Sequence, residues 1–173
     1  MEEIKYSIKK TTVESYKVRC DSFYWADITI DADGKMGRIQ IVSDFGSWQN
    51  YWGACGCSFK EFLQKINIDY AADKFGAHKW FDLDRTIISL KERINDYTDD
   101  KEDLLKELES LESSSGKDEF IHIMHNCDEI MKMENYYPDM IYSIEPGFKR
   151  FWKEVWPVFT NQLSKELEQS IKQ

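Results

Sequence analysis

The hydrophobic period changes once along this chain, from two to about 3.6, and that change restricts the fold more than any other feature. Tyr24, Ala26, Ile28 and Ile30 share one face, Asp31 to Gly37 (DADGKMG) interrupts, and Ile39 and Ile41 resume the alternation. Two half-buried runs around a glycine-bearing loop predict a β-hairpin. Shorter alternations upstream, Ile4-Tyr6-Ile8 and Tyr16-Val18-Cys20, predict two further strands. An antiparallel sheet of about four strands with one solvated face is expected.

From Ser58 onward the pattern is helical. Ser58 and Glu61 form a capping box ahead of Phe59, Phe62, Leu63 and Ile66. A short helical stretch from Asp69 to Phe75 ends at Gly76. Asp82 or Asp84 can cap a helix carrying Ile87, Leu90, Ile94 and Tyr97. Asp99 and Glu102 repeat the capping pattern before Leu104, Leu108 and Leu111. These two predict an antiparallel helical hairpin joined near Thr98 to Asp100, a single long interrupted helix being the rival. One helix is predicted from Asp118 to Met133 with a stripe of Phe120, Ile123, Met124, Cys127 and Met131. A last stripe runs from Phe148 to Ile171, with a break or kink at Pro157 and a fresh helix after it. The predicted fold is α+β, with a sheet portion over residues 1–57 and a helical portion over 58–173. At 173 residues, one domain spanning 1–173 is expected.

Sites for chemistry are weak. His122, His125 and Cys127 resemble zinc ligands in type, but on a regular helix the cysteine falls on the apolar stripe and the histidines opposite it. Cys55-Gly56-Cys57 is a single CxC pair that could join Cys20 or Cys127 in a thiolate zinc site, but a strong zinc signal needs two spaced pairs. Cys57 precedes a helix start, which can lower a thiol pKa; a catalytic cysteine also needs a base, and no local signature supports His78, His122 or His125 in that role. Asp31-Ala-Asp33-Gly34 lacks the later ligands of a calcium loop and reads as a turn. The paired carboxylates Asp69/Asp73 and Asp82/Asp84 serve as well in capping and solvation. No phosphate-binding glycine loop or nucleophile elbow occurs. No catalytic residue, metal ligand or cofactor is therefore assigned. A small thiol- or metal-dependent enzyme using Cys55, Cys57 and the histidines stays open as an alternative.

Two features point toward binding instead. Phe45, Trp48, Tyr51 and Trp52 lie among Gly46, Gly53 and Gly56. They form either a recognition surface, with Trp48, Tyr51 and Trp52 as anchors, or a loop that closes over the sheet. The second feature is charge. The chain carries a formal −9, and the stretch from Asp96 to Glu119 holds ten acids against three lysines. Residues 1–57 have eight acids against seven bases, so the excess is local. Direct nucleic-acid binding is disfavoured by that sign. A basic protein surface would be attracted to it, which makes Asp96, Asp99, Asp100, Glu102, Asp103 and Glu107 candidate partner-binding residues. The alternative is a solvated face that keeps the protein soluble. No apolar run approaches the ~20 residues of a membrane span, and MEEIKYSIKK lacks the apolar core of a signal peptide. With four scattered cysteines, a cytoplasmic protein without a membrane partner is expected.

The stretch from Tyr24 to Leu63 resembles small proteins encoded by phages and prophages. The pattern is a hairpin ending in S-D-F-G (Ser43 to Gly46), an aromatic W-G-x-x-G (Trp52 to Gly56) and a K-E-F-L helix start (Lys60 to Leu63). The resemblance carries no catalytic motif. It implies expression inside a bacterial host, where small acidic phage proteins bind and block host machinery. The expected function is a non-enzymatic accessory protein that binds and inhibits a host protein. A nucleic-acid-dependent defence complex is the most concrete partner, which would make this an inhibitor of anti-CRISPR type. A phage structural or assembly component is the other alternative, and no oligomeric state is implied.

Overall fold

The computed structural model describes residues 6–21, 24–97, 101–135 and 137–171. The fold is α+β. Four strands, β1 (Glu14–Arg19), β2 (Trp25–Asp33), β3 (Met36–Ser43) and β4 (Gly46–Trp52), form one antiparallel sheet in the order β1-β2-β3-β4. The chain continues through α1 (Phe59–Lys65), α2 (Ile68–Phe75), β5 (Trp80–Phe81), α3 (Leu83–Asp96), α4 (Glu102–Glu112), α5 (Lys117–Met124) and α6 (Asp128–Met133). It ends with β6 (Tyr142–Ser143), α7 (Pro146–Glu154) and α8 (Trp156–Ile171). Two compact units result. The first takes the described residues up to Ala77 and from Glu145 on, and the second is His78–Ile144. The Glu145 N–H donates to the Ala77 carbonyl at 2.9 Å, so the chain leaves and re-enters the first unit at adjacent points.

In the first unit, Ala26, Ile28, Ile30, Ile39 and Ile41 are fully buried on one face of the sheet, as the period of two demands. Phe59, Leu63, Phe148, Phe151, Phe159 and Leu163 supply the helical side of that core. The capping box of Ser58 and Glu61 is formed, Gly76 ends α2 in the left-handed conformation, and Asp82 caps α3. The chain breaks at Val155, which places Pro157 in the first turn of α8, where its missing N–H costs nothing.

Four local expectations are corrected. At Tyr6 and Ile8 the alternation forms no strand, and both side chains are almost fully exposed, so neither joins a core; Ile4 lies outside the described residues. The fourth strand is instead the aromatic segment. Its Trp48, Asn50 and Trp52 alternate inward with Ser47, Gln49 and Tyr51 outward, a period of two masked by an aromatic residue on each face. The DADGKMG loop shrinks to a Gly34-Lys35 turn because Asp31 pairs with Arg38 and Ala32 with Gly37. The Asp118–Met133 helix is two helices broken at residues 125–127. That break shifts the helical phase, so Ile130 rather than Met131 reaches the core of the second unit.

The S-D-F-G run is a turn with its own hydrogen bonds. Ser43 Oγ donates to the Gly46 carbonyl at 2.8 Å and accepts from the Phe45 N–H at 3.2 Å. The Asp44 carboxylate accepts from the Trp25 N–H at 2.9 Å. Gly46 sits at φ 144°, and a Cβ there would lie 2.6 Å from the Trp48 indole, so only glycine fits.

A polar network ties β1, α1 and α8 together. The Tyr16 hydroxyl donates to Glu14 at 2.7 Å and to Glu166 at 2.8 Å, alternatives for its single proton. Lys60 Nζ donates to the same two carboxylates, at 2.5 and 2.9 Å. Burial, then the bond to Glu14, pushes the Tyr16 phenol well above its usual range. Burial lowers the Lys60 ammonium, but its bonds to Glu14 and Glu166 outweigh that and raise it. Burial raises Glu166, and the bonds from Lys60, Gln162 and Tyr16 bring it below the usual carboxylate value. Raised groups stabilise the fold fully below their unfolded pKa, near 10 for both, and lose that contribution as pH rises through the folded value. The lowered Glu166 contributes above about pH 4.3 and loses its share as pH falls. Lys60→Met should therefore cost about 1 kcal/mol at pH 7, allowing for solvent screening. The gap from wild type, followed by urea denaturation, should narrow above pH 10 and below pH 4. A gap independent of pH would show that the network contributes packing only.

Candidate interaction surface

In the second unit, Ile87, Leu90 and Ile94 of α3 pack against Leu104, Leu108 and Leu111 of α4, joined by Phe120, Met124, Cys127 and Ile130. The leucine stripe of α4 is narrow, so its charged residues are sorted by their angle from it. Glu102 and Asp103 stand in solvent, about three-quarters exposed, and Lys106 bridges them at 2.9 and 3.2 Å. Asp96 at the end of α3 and Glu109 on α4 are also exposed. Lys101 Nζ donates to the Asn95 carbonyl at 2.6 Å, and Glu112 pairs with Lys91. Asp99 and Asp100 lie outside the described residues. Asp96, Glu102, Asp103 and Glu109 are thus exposed on the α3–α4 hairpin, with Lys106 bridging Glu102 and Asp103.

Glu107 does not belong to that face. It is half-buried, and its two oxygens accept from the Glu129 N–H at 3.1 Å and the Ile130 N–H at 2.8 Å. The break at residues 125–127 leaves the first N–H groups of α6 without helical partners, and Cys127 offers no side-chain cap. A carboxylate from another helix fills the gap, favoured also by the helix dipole. Nothing in the local sequence signals this, because donors and acceptor are more than twenty residues apart. Glu107→Ala should cost about 1–2 kcal/mol in urea denaturation, while Glu102→Ala should stay within about 0.5 kcal/mol. Equal effects would place Glu107 with the exposed acids.

The aromatic candidates separate in the same way. Trp48 and Trp52 are 8% and 6% exposed, so neither is presented as an anchor, a correction forced by the inward phase of β4. Trp52 packs against Phe59, Phe62 and Phe75, and its indole N–H donates to the Tyr70 hydroxyl at 2.9 Å. Tyr51 is 55% exposed on the outer face, near Met36.

The thiols and imidazoles are taken up by their own surroundings within each unit. Cys55 and Cys57 are half-buried free thiols in the loop before α1, and burial together with Cys57 pushes Cys55 up, away from the thiolate. Cys127 is buried, and desolvation, aided by the Glu107 and Asp128 charges, raises it to about 11. His122 is exposed, and His125 Nδ1 lies 2.6 Å from the Tyr137 hydroxyl. Among the described residues no three His, Cys, Asp or Glu side chains are grouped to hold a metal. Asp82 is used as a helix cap, and Asp69 and Asp73 are exposed on α2. No helix among the described residues is long and apolar enough to cross a membrane.

No curated protein matches the chain, and no solved structure does. A family model described as a phage family matches residues 6–166. That span takes in the helical part as well as the forty residues on which the sequence resemblance rested. With the sheet, both units and nearly all of the chain inside the match, this protein belongs to that phage family.

Proposed function

We propose that this phage protein is a non-enzymatic accessory factor that binds a host protein inside the bacterial cell through the outer face of the α3–α4 hairpin. The observation that carries the reading is the solvent-facing set Asp96, Glu102, Asp103 and Glu109, which no core contact requires. Exposed carboxylates on a helix pair steer a basic partner toward them and raise its association rate. The partner of best-fitting chemistry is a host complex with a basic nucleic-acid groove, where the acids take the place of phosphates. Inhibition of a defence complex of anti-CRISPR type is the concrete form of this proposal.

The test is affinity capture from host lysate, followed by association kinetics with whatever co-purifies. Charge reversal in Glu102→Lys, Asp103→Lys and Glu109→Lys together should slow association at least tenfold at low salt and blunt its salt dependence. The exposed ion pairs lost contribute little to folding, so the variant is a clean probe. Unchanged association, or a captured partner with no basic groove, would sink the proposal.

A further inference from the structure

The net charge has a local exception at the β1 edge of the sheet. A groove of about 390 Å³ runs along β1, walled by Tyr16 to Arg19 on one side and by α8 on the other, through Val158, Gln162 and Lys165 among others. None of its lining residues is acidic, in a chain of net charge −9, and three are cationic: Lys17, Arg19 and Lys165. Arg19 shares Asp27 at 2.6 Å, while Lys17 and Lys165 are exposed.

The strand edge here is open. Among the described residues β1 is the end strand of the sheet and pairs with β2 alone. The Cys20 N–H donates to the Tyr24 carbonyl at 2.8 Å, continuing the register in which Val18 faces Ala26 and Tyr16 faces Ile28. In an antiparallel ladder the bonded pairs alternate, so the even-numbered residues of β1 bond to β2. Ser15, Lys17 and Arg19 therefore turn their N–H and C=O groups outward, toward the groove. Open edges of this kind accept an added strand, and they are normally blunted by lysine.

We propose that this groove takes an extended acidic peptide segment as a fifth strand beside β1. Side chains alternate along such a strand. One set would lie on the face that carries Lys17 and Arg19, where cross-strand pairing favours carboxylates. The other set would lie over exposed Val158, where apolar groups are favoured. The segment that fits thus alternates acidic and apolar residues. A second copy of the chain fits poorly, because the β1 residues that antiparallel self-pairing sets opposite Lys17 and Arg19 are Ser15, Lys17 and Arg19, none of them acidic. This surface is in the first unit and separate from the acidic hairpin, so it stands or falls independently of it.

The probe is a fluorescent decapeptide of alternating glutamate and valine, with a lysine–valine decapeptide as control, read by anisotropy and amide hydrogen exchange. The acidic peptide should bind and the basic one should not, and binding should protect the Lys17 and Arg19 amides. Lys165→Glu, on the exposed side of a helix, should weaken binding at least tenfold without disturbing the strand. Lys17→Pro should weaken it more than Lys17→Gln, since only proline removes the outward N–H. No binding of the acidic peptide at millimolar concentration would overturn the proposal. So would binding that leaves both amides unprotected, equal binding of the two peptides, or protection of those amides by self-association alone.

Discussion

Trp48→Ala is expected to remove 3–5 kcal/mol of stability, the usual cost of emptying a large aromatic site in a core. Trp48 stands edge-on to Phe148 with ring centroids 5.0 Å apart and lies 5.3 Å from Phe151, joining β4 to α7. Its indole also fills the space over Gly46, where a Cβ would be 2.6 Å away. Removing it leaves a cavity lined by rings that cannot collapse together, since the Ser43–Gly46 turn is fixed by its own hydrogen bonds. Tyr51→Ala, three residues on and outward-facing, should change stability by no more than about 0.5 kcal/mol. Thermal and urea denaturation of the two variants check this directly. A Trp48→Ala protein as stable as wild type would return that tryptophan to the surface and revive it as a binding anchor.

The contrast between Trp48 and Tyr51 shows what the sequence could and could not convey. Where one face was apolar and the other polar, as from Ala26 to Ile41, alternation alone placed every inward side chain. In β4 both faces carry aromatics, so the same period was hidden among glycines and the strand looked like a loop. The helices from Ser58 to Asp96 were readable because their caps are local: Ser58 with Glu61, Gly76, and Asp82. α6 was not, because its capping carboxylate, Glu107, arrives from another helix. The acidic face divides on the same principle. Charge counting finds the carboxylates, but only packing tells that Glu107 is spent on a helix end while Glu102, Asp103 and Glu109 remain in solvent. The motifs behind the phage resemblance prove to be scaffold: a turn, a buried tryptophan and a capping box. The turn is tied to Trp25 through Asp44, Trp52 packs against Phe59 of α1, and Glu61 caps α1 with Ser58. The open edge of β1 had no sequence signal either, because an unpaired strand edge is a property of sheet order.

Gly147→Ala opposes two effects whose sizes can be compared. Gly147 follows Pro146 at the start of α7, and by helix propensity alone alanine would be favoured by up to about 1 kcal/mol. The surroundings reverse that sign. A Cβ at Gly147 would lie 2.2 Å from the carbonyl oxygen of Phe45, well inside any tolerable contact, and the obstacle is backbone. The Phe45 turn cannot readily yield. Asp44 anchors it to Trp25, and the Arg150 guanidinium sits 4.8 Å from the Tyr24 ring and 5.2 Å from the Phe45 ring. α7 cannot easily retreat either, because Phe148 and Phe151 are fully buried beside Trp48. Overpacking costs typically about 1–3 kcal/mol, and a clash with fixed backbone belongs at the upper end, so a net loss of roughly 2 kcal/mol is expected on urea denaturation. Trimming the ring in Phe45→Ala should not restore the Gly147→Ala protein, because the oxygen would remain in place. Rescue by that second substitution would move the clash from the carbonyl to the ring, and a stabilised Gly147→Ala would show that the helix start can shift away from the turn.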